Sequence, residues 1–202
     1  MSNNSVIMVV SAPSGTGKTS ICRPLLREFP ALRFSVSFTT RPPRRGEADG
    51  RDYHFVTPDA FREKIQAGDF VEWAENYGHL YGTSRGVIEE IRGRGEDILL
   101  DVEPRGARAL KEIYPKGVFV FVLPPDLAEL QRRLWKRGDG DEEVRRWRYQ
   151  KARDEIQEVF WYDYIVVNDR LEQAIERMRA IYLAEKCRRE RQMGIVSPFL
   201  AE

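Results

Sequence analysis

The chain has 202 residues, which suffices for one compact domain with small inserted lobes or for two very small domains. Its 33 lysines and arginines nearly balance 32 aspartates and glutamates, and the net charge is +1. This balance excludes a global field that would attract nucleic acid or an anionic membrane, so any anion must be bound by a local cluster of arginines. Two distant cysteines, Cys22 and Cys187, indicate neither a disulfide framework nor a zinc site.

Targeting and membrane signals are weak throughout the chain. The first residues carry no basic segment, and the apolar run at 6–10 is too short for the core of a signal peptide. The longest apolar stretch elsewhere, 118–123, has the length of a strand, whereas a membrane span needs about 20 apolar residues. We therefore expect a cytoplasmic protein with no membrane or nucleic-acid partner. The sequence leaves its oligomeric state open.

The predicted elements alternate between strand and helix. The apolar run at 6–10 is typical of a strand buried on both faces of a parallel sheet, and a helix pattern follows it to about Phe29. Further buried strands are predicted at 98–101, 118–123 and 164–167, with helices after Gly106, from Asp126 and from Leu171. This alternation predicts an α/β fold with a doubly wound parallel sheet.

Two regions interrupt the alternation. The segment from Phe34 to Trp73 has short, aromatic, strand-like patterns around a polar loop at 41–52, which predicts a small inserted lobe of mixed β structure. The segment 130–158 is rich in arginine and glutamate, and Gly138 and Gly140 break it, which predicts a mobile helical lid. We assign one domain, 1–202, divided into a core at about 1–33, 94–125 and 160–202, a lobe at about 34–93 and a lid at about 126–159.

A glycine-rich segment follows the first predicted strand and opens the first helix, which is the context of a phosphate loop. Glycines let backbone N–H groups turn inward around phosphates, and the helix presents its N-terminus to the anion. Lys18 can reach the phosphates, and the hydroxyl of Thr19 can ligate Mg²⁺. The alternative is a plain strand-to-helix turn, and Ala12 departs from the glycine of the usual motif. The residues predicted to contact a nucleoside triphosphate here are Ala12, Pro13, Ser14, Gly15, Thr16, Gly17, Lys18 and Thr19.

The polar loop concentrates the arginines. Arg41 and Arg44 flank two prolines, which hold the chain extended, and paired guanidinium groups can clamp a monophosphate. Tyr53 and Tyr81 can add hydroxyl donors to the same oxygens. A nucleic-acid backbone would also suit a basic loop, although the acids of the loop and the neutral chain argue against it. A solvated loop without a ligand remains the other interpretation.

An ordered set of motifs covers essentially the whole chain. It comprises Ser37-x-Thr39-Thr40-Arg41-x-Pro43-Arg44-x-Gly46-Glu47-x-x-Gly50-x-x-Tyr53-x-Phe55, Phe70-Val71-Glu72-Trp73, Tyr81-Gly82-Thr83, Leu100-Asp101-Val102-Glu103 with Gly106 after it, Arg133-Leu134, Arg137-Gly138, and Ile165-Val166-Val167-Asn168-Asp169. In order and spacing this set resembles the guanylate kinases. The resemblance implies a P-loop NTPase fold with a GMP-binding lobe and a helical lid. It also implies the reaction of ATP with GMP or dGMP in the presence of Mg²⁺.

The resemblance also implies roles for residues at the acceptor site. Arg41, Arg44, Tyr53 and Tyr81 would bind the phosphate of GMP, while Ser37 and Thr83 would contact the guanine edge near O6. Glu72 would accept hydrogen bonds from N1–H and the amino group of guanine. Its chemistry independently suits that role, because a carboxylate only accepts and guanine offers two adjacent donors there. Asp101 would lie near Mg²⁺ and the substrate, and Glu103 stands where the family usually has aspartate, near the guanine amino group.

On the donor side the resemblance assigns Arg133 and Asn168 to ATP binding, and it assigns Arg137 and Arg148 to the lid. With Lys18 and Arg41, these lid arginines would stabilise the charge of phosphoryl transfer. The remaining charges of the lid are expected to form solvated pairs on helix faces; they are Arg132, Arg145, Arg146 and Arg153 with Glu142, Glu143 and Glu155.

Three functions compete at this point. The first is an enzyme that converts ATP and GMP to ADP and GDP. The second is a guanylate-kinase-like binding module without catalysis, against which the intact Gly17-Lys18-Thr19 and the lid arginines argue. The third is a phosphate-loop kinase for another small acceptor, such as a phosphorylated ribose analogue.

Overall fold

The computed structural model describes residues 4–76, 78–137 and 141–200. In chain order, the strands are β1 (Ile7–Ser11), β2 (Leu32–Phe34), β3 (Phe38–Thr39), β4 (His54–Phe55), β5 (Phe70–Asn76), β6 (His79–Ser84), β7 (Asp97–Asp101), β8 (Val118–Leu123) and β9 (Tyr164–Val167). The helices are α1 (Lys18–Glu28), α2 (Pro58–Gln66), α3 (Arg85–Gly93), α4 (Pro104–Ile113), α5 (Leu127–Arg137), α6 (Glu142–Ile156), α7 (Leu171–Lys186) and α8 (Arg189–Leu200), and a short 3₁₀ helix spans Gln157–Trp161. Among these helices none is both long and apolar enough to cross a membrane.

Five parallel strands form the central sheet in the order β2-β7-β1-β8-β9. Every residue of β1 is buried, because helices α1 and α7 cover one face of the sheet and α3 and α4 cover the other. The predicted α/β class and doubly wound sheet are therefore confirmed, as are the four predicted strands. Strand β2 was not predicted, since it has only three residues and its middle residue, Arg33, is exposed.

The register of the central sheet brings two predicted site segments together. Val10 of β1 lies beside Asp101, the last residue of β7. The chain leaves β1 for the glycine-rich segment at the same edge where β7 leads to the start of α4. The carboxyl ends of parallel strands at this edge are where open α/β sheets bind ligands.

A second, four-stranded sheet has the order β4-β3-β6-β5 and mixes parallel and antiparallel pairs. The predicted mixed β structure is thus present, and the structure adds helices α2 and α3 to the same stretch of chain. Thr57 caps α2 by accepting from the N–H of Ala60 at 3.2 Å, and Pro58 opens the helix. Helix α2 packs on the sheet through Phe61, whose ring stacks on that of Phe70 at 4.6 Å.

Helices α5 and α6 pack on each other through a small apolar cluster. Leu130 and Leu134 of α5 are buried against Ala152 of α6. Asp141 caps α6 by accepting from the N–H of Val144 at 2.9 Å, which fixes where the helix begins. The predicted break at Gly138 and Gly140 lies outside the described residues.

Candidate active site

A cleft of about 670 Å³ opens at the carboxyl edge of the central sheet, between the second sheet and helices α4, α5 and α6. Its volume is in the range of small-molecule sites. The predicted residues on its lining are Ala12, Pro13, Ser14, Gly15, Thr16, Gly17, Lys18, Thr19, Ser37, Arg41, Arg44, Tyr53, Glu72, Tyr81, Asp101, Glu103, Arg133 and Arg148. Residues that are 136 positions apart in sequence therefore face one space.

The glycine-rich segment forms a tight loop between β1 and α1. Gly17 immediately precedes α1 with φ of 90°, a conformation that L side chains rarely adopt. A Cβ atom at Gly17 would also stand 2.5 Å from Nδ2 of Asn168. The backbone angle therefore strongly favours glycine at this position, and any side chain here would also displace the amide of Asn168.

Two side chains hold this loop from behind. Nδ2 of Asn168 donates to the carbonyl of Thr16 at 2.7 Å. Arg133 on α5 donates to the same carbonyl at 3.3 Å and to the carbonyl of Asn168 at 2.9 Å, and its Nε is 2.7 Å from Glu129. Asn168 is buried and does not line the cleft. Its place in the structure is thus a support for the loop, and only Arg133 of this pair reaches the lining.

Lys18 and Asp101 form an ion pair at the base of the cleft. Nζ of Lys18 also donates to the carbonyl of Val102 at 3.1 Å. Burial lowers the pKa of Lys18, but the charge of Asp101 and its hydrogen bond outweigh burial, so the pKa lies above its usual value. Lys18 is therefore a fixed cation at the point where the loop and β7 meet.

The arginine loop is ordered by its own acids. Nη2 of Arg41 is 2.9 Å from both carboxylate oxygens of Glu47, and the backbone N–H of Arg44 donates to Glu47 at 2.7 Å. The guanidinium of Arg41 lies 5.4 Å from the ring centroid of Tyr53, and only 11% of its side chain is exposed. Arg41 is therefore held against the cleft and is not a freely solvated side chain, whereas the binding of a ligand by this loop stays a prediction.

Tyr53 and Tyr81 lie next to this guanidinium, with their ring centroids 6.0 Å apart. Burial raises the pKa of Tyr53 far above its usual value, and the charge of Asp101 adds to this. Its hydroxyl therefore stays protonated and can donate. The cluster of Arg41, Arg44, Tyr53 and Tyr81 thus offers hydrogen-bond donors suited to an anion.

Glu72 owes its orientation to an irregularity in the second sheet. The pairing of β5 with β6 shifts between Phe70 and Glu72, so that Glu72 stands opposite Thr83. Such bulges re-aim side chains next to active sites. The hydroxyl of Thr83 donates to Oε1 of Glu72 at 2.5 Å, and Thr83 is fully buried. Thr83 therefore lies behind Glu72 and off the lining of the cleft, where it fixes the carboxylate.

The other oxygen of Glu72 fits against the first turn of α4. A Cβ atom on Gly106 would stand 2.6 Å from Oε2 of Glu72, so any larger residue there would displace this carboxylate. Burial raises the pKa of Glu72, the hydrogen bond from Thr83 opposes this, and the charge of Glu103 adds to it. A ligand that donates two hydrogen bonds to this carboxylate would favour its ionised form.

A polar cluster borders the cleft beside Glu72. Asn76 of β5 donates to Oε1 of Glu103, and Lys151 of α6 contacts the side chains of both. Burial and the charge of Glu103 raise the pKa of Glu155 to about 7. The expectation that Glu155 forms a solvated pair is wrong, because its side chain is 15% exposed and lines the cleft beside Lys151. By contrast, Arg146 and Glu142 form the expected exposed pair at 2.7 Å.

Sequence reasoning missed several residues here. Glu47, Asn76 and Lys151 carried no predicted role, and neither did the missing side chain of Gly106. One signal was available for Lys151: it follows Arg148 by three residues and precedes Glu155 by four, so all three share a helix face. Of the two lid arginines, Arg148 lines the cleft, whereas the side chain of Arg137 lies outside what the structure describes.

The residues predicted to hold Mg²⁺ meet in the cleft. Thr19 and Asp101 both line it, and they offer a hydroxyl and a carboxylate oxygen. No group of three or more His, Cys, Asp or Glu side chains among residues 4–76, 78–137 and 141–200 can hold a metal. One carboxylate and one hydroxyl fit Mg²⁺, which takes oxygen ligands and keeps waters and substrate phosphates in its shell.

Known proteins match this chain in sequence and in fold. Residues 4–185 match the family model described as guanylate kinase. The chain is 55% identical to a guanylate kinase of Syntrophus aciditrophicus over 184 residues, covering 91% of this chain and 88% of that protein. It is 46% identical to one of Geobacter metallireducens over 197 residues, covering 98% and 97%. The crystal structure of guanylate kinase from Anaplasma phagocytophilum is similar with a TM-score of 0.79 at 31% identity, covering 98% of this chain and 97% of that one.

Proposed function

The chain belongs to the guanylate kinase family, and from this premise we propose that it transfers the γ-phosphoryl group of ATP to GMP, which yields ADP and GDP. The observation that carries the choice of acceptor is the position of Glu72. Its carboxylate faces the same cleft as the phosphate loop and the cation Arg41. A guanine base against Glu72 would thus bring its own phosphate between two sets of phosphate-binding groups.

The donor end would be formed by the loop 12–19 and by Arg133, which bonds to the carbonyl of Thr16. Backbone N–H groups of the loop and the N-terminus of α1 would bind the phosphates of ATP, and Lys18 would move from Asp101 to their oxygens. Asn168 would act through the loop, because its amide holds the carbonyl of Thr16. The glycine at position 17 supports this arrangement, since it lets the loop close on Asn168.

Thr19 and Asp101 are the residues we propose to hold Mg²⁺. When bound with ATP, Mg²⁺ would neutralise charge on the β- and γ-phosphate oxygens. The release of Lys18 from Asp101 would leave both side chains available, the lysine to phosphate and the carboxylate to the metal shell.

The acceptor phosphate would bind to Arg41, Arg44, Tyr53 and Tyr81. Arg41 is already ordered by Glu47, so little side-chain entropy is lost when the phosphate arrives. At the other end of GMP, Glu72 would accept from N1–H and the amino group, with Ser37 near O6 and Glu103 near the amino group. Thr83 would contribute by orienting Glu72, and its direct contact with guanine stays a prediction.

Catalysis would rest on positioning and electrostatics, because phosphoryl transfer needs no protein nucleophile. Lys18, Arg41, Arg137 and Arg148 would stabilise the charge on the transferred group. We propose that segment 34–93 acts as the GMP-binding lobe and segment 126–159 as the lid. Closure of the lid would exclude water, which otherwise hydrolyses ATP.

The test is a coupled assay of ADP release with GMP, dGMP, AMP and UMP as acceptors, with and without Mg²⁺. We expect turnover that depends on a guanine nucleotide and on the metal. The kcat/KM for AMP and UMP should be lower than that for GMP by a factor on the order of 10⁴. A chain that releases ADP equally with AMP would contradict the role of Glu72. Release of ADP without any acceptor would indicate an ATPase instead.

A further inference from the structure

Lys151 lies on the cleft-facing side of α6 and bonds across the cleft to two other elements. Its Nζ is 2.6 Å from Oδ1 of Asn76, at the end of β5, and 3.3 Å from Oε2 of Glu103, just before α4. Asn76 in turn donates to Oε1 of Glu103. The three side chains therefore form a closed ring of hydrogen bonds that joins α6, β5 and the start of α4.

The ring sets the orientation of Glu103. The residue occupies the N-cap position of α4, yet its side chain makes no capping hydrogen bond to that helix. Its two carboxylate oxygens are taken by Asn76 and Lys151 instead, and all three residues line the cleft together with Glu72. The side chain of Glu103 is 41% exposed, so it would rotate freely in solvent without these two partners.

The charges around Lys151 show why a cation is needed at this point. Glu72, Glu103 and Glu155 all line the same end of the cleft, and the charge of Glu103 raises the pKa of both Glu72 and Glu155. Lys151 is 3.6 Å from Glu155, and its charge acts in the opposite direction on the pKa of that carboxyl. It therefore relieves the repulsion among three acids that would otherwise share one site.

We propose that Lys151 is a positioning residue for the acceptor nucleotide, which fixes Glu103 and Asn76 beside Glu72 and docks α6 on the guanine end of the cleft. This inference rests on the proposed binding of GMP with its base against Glu72. Lys151 then acts through Glu103, whose carboxylate is held ready for the amino group of guanine. Because Lys151 belongs to α6, the same contact couples the position of that helix to an ordered base site.

The test compares Lys151→Met, which keeps the length and removes the charge, with Lys151→Arg, which keeps the charge. Arg146→Met is the matched control, since Arg146 lies on the same helix in an exposed pair with Glu142. In Lys151→Met we expect the KM for GMP to rise roughly tenfold, the size of one charge-assisted hydrogen bond, while the KM for ATP stays within twofold. Lys151→Arg should recover most of the loss, and Arg146→Met should behave as the wild type.

Two further measurements separate positioning from a structural role. IMP lacks the amino group, so Lys151→Met should raise the KM for GMP but leave that for IMP nearly unchanged. In a double-mutant cycle with Glu103→Gln, adding Lys151→Met should cause little further loss, because both changes remove the same contact. Additive losses, or a fall in kcat at unchanged KM for GMP, would overturn the proposal. A wild type without GMP-dependent turnover would instead overturn the proposed function, and this inference with it.

Discussion

The two ends of the cleft are built by different means. At the phosphate loop the shape comes from the backbone: Gly17 adopts φ of 90°, and Asn168 and Arg133 bond to main-chain carbonyls. At the proposed guanine end, which contains Glu72, the shape comes from side-chain contacts: the hydroxyl of Thr83 bonds to one oxygen of Glu72, and the absence of a side chain at Gly106 leaves room for the other. A backbone site is identified by its glycines and their spacing, whereas a side-chain site depends on partners scattered along the sequence.

The two ends also differ in charge. The cations Lys18 and Arg41 are each paired with an acid, Lys18 with Asp101 and Arg41 with Glu47. A phosphate that binds to either cation would compete with its carboxylate partner. The guanine end instead gathers acids, and the pKa of Glu72 is raised by burial and by the charge of Glu103. The first end is therefore suited to phosphates and the second to a base that donates hydrogen bonds.

The largest expected effect is that of Gly17→Ala. The φ of 90° at this position is unfavourable for alanine, and the new Cβ would stand 2.5 Å from Nδ2 of Asn168. The loop would therefore open, or Asn168 would withdraw. We expect kcat/KM for ATP to fall on the order of 10³, comparable to the loss of an oriented donor for the transferred charge. Steady-state kinetics and ATP binding by calorimetry measure this.

Gly86→Ala is the control for that substitution, because a Cβ there would meet nothing closer than 3.7 Å. It should retain full activity. A Gly17→Ala enzyme within tenfold of the wild type would contradict the claim that the backbone shapes the donor end.

The second effect is that of Glu72→Gln at the guanine end. An amide keeps one acceptor but presents a donor to guanine, so kcat/KM for GMP should fall on the order of 10², while the KM for ATP stays unchanged. Glu75→Gln lies on the same strand with its side chain exposed and should have no effect. Equal losses for the two variants would show that the strand matters and the Glu72 carboxylate does not.

The third effect tests the close fit behind Glu72. In Gly106→Ala the new Cβ would displace Oε2 of Glu72, and we expect the KM for GMP to rise about tenfold. The same change favours the helix by about 1 kcal/mol, so thermal stability should be unchanged or higher. Gly93→Ala, where a Cβ would meet nothing within 4 Å, is the control. A loss of stability together with activity would indicate general disruption of α4.

Much of the fold followed from the sequence because its signals are local. The strands predicted at 98–101 and 118–123 correspond closely to β7 and β8, since strands buried on both faces are built mainly from apolar residues. The phosphate loop followed from adjacent residues in the same way. Strand β2 was missed because pairing with β7, and not its own composition, makes it a strand.

The parts of the site that were missed are long-range. Lys151 meets Asn76 across 75 positions of the chain and Glu103 across 48, and no periodicity marks such a pair. Asn168 was assigned to ATP through resemblance alone, and its support of the Thr16 carbonyl needs the fold to be visible. Glutamate is usually a surface residue, and Glu155 is largely buried only because α6 packs against the rest of the protein.

The smallest effect concerns pH and isolates the guanine end. Because the pKa of Glu72 is raised and guanine needs the ionised carboxylate, GMP affinity should be full above that pKa and fall as the pH drops through it. One proton limits the fall to less than tenfold per pH unit. The phosphate of GMP also titrates, with a pKa of about 6, so the wild type must be compared with Glu72→Gln at each pH. The variant should have the higher KM for GMP at neutral pH, and the two KM values should approach each other at low pH. Protonation of Glu72 then removes from the wild type the same ionised carboxylate that the substitution removes from the variant. A ratio independent of pH would mean that Glu72 stays ionised and that the acidic end of the cleft is better solvated than its burial indicates.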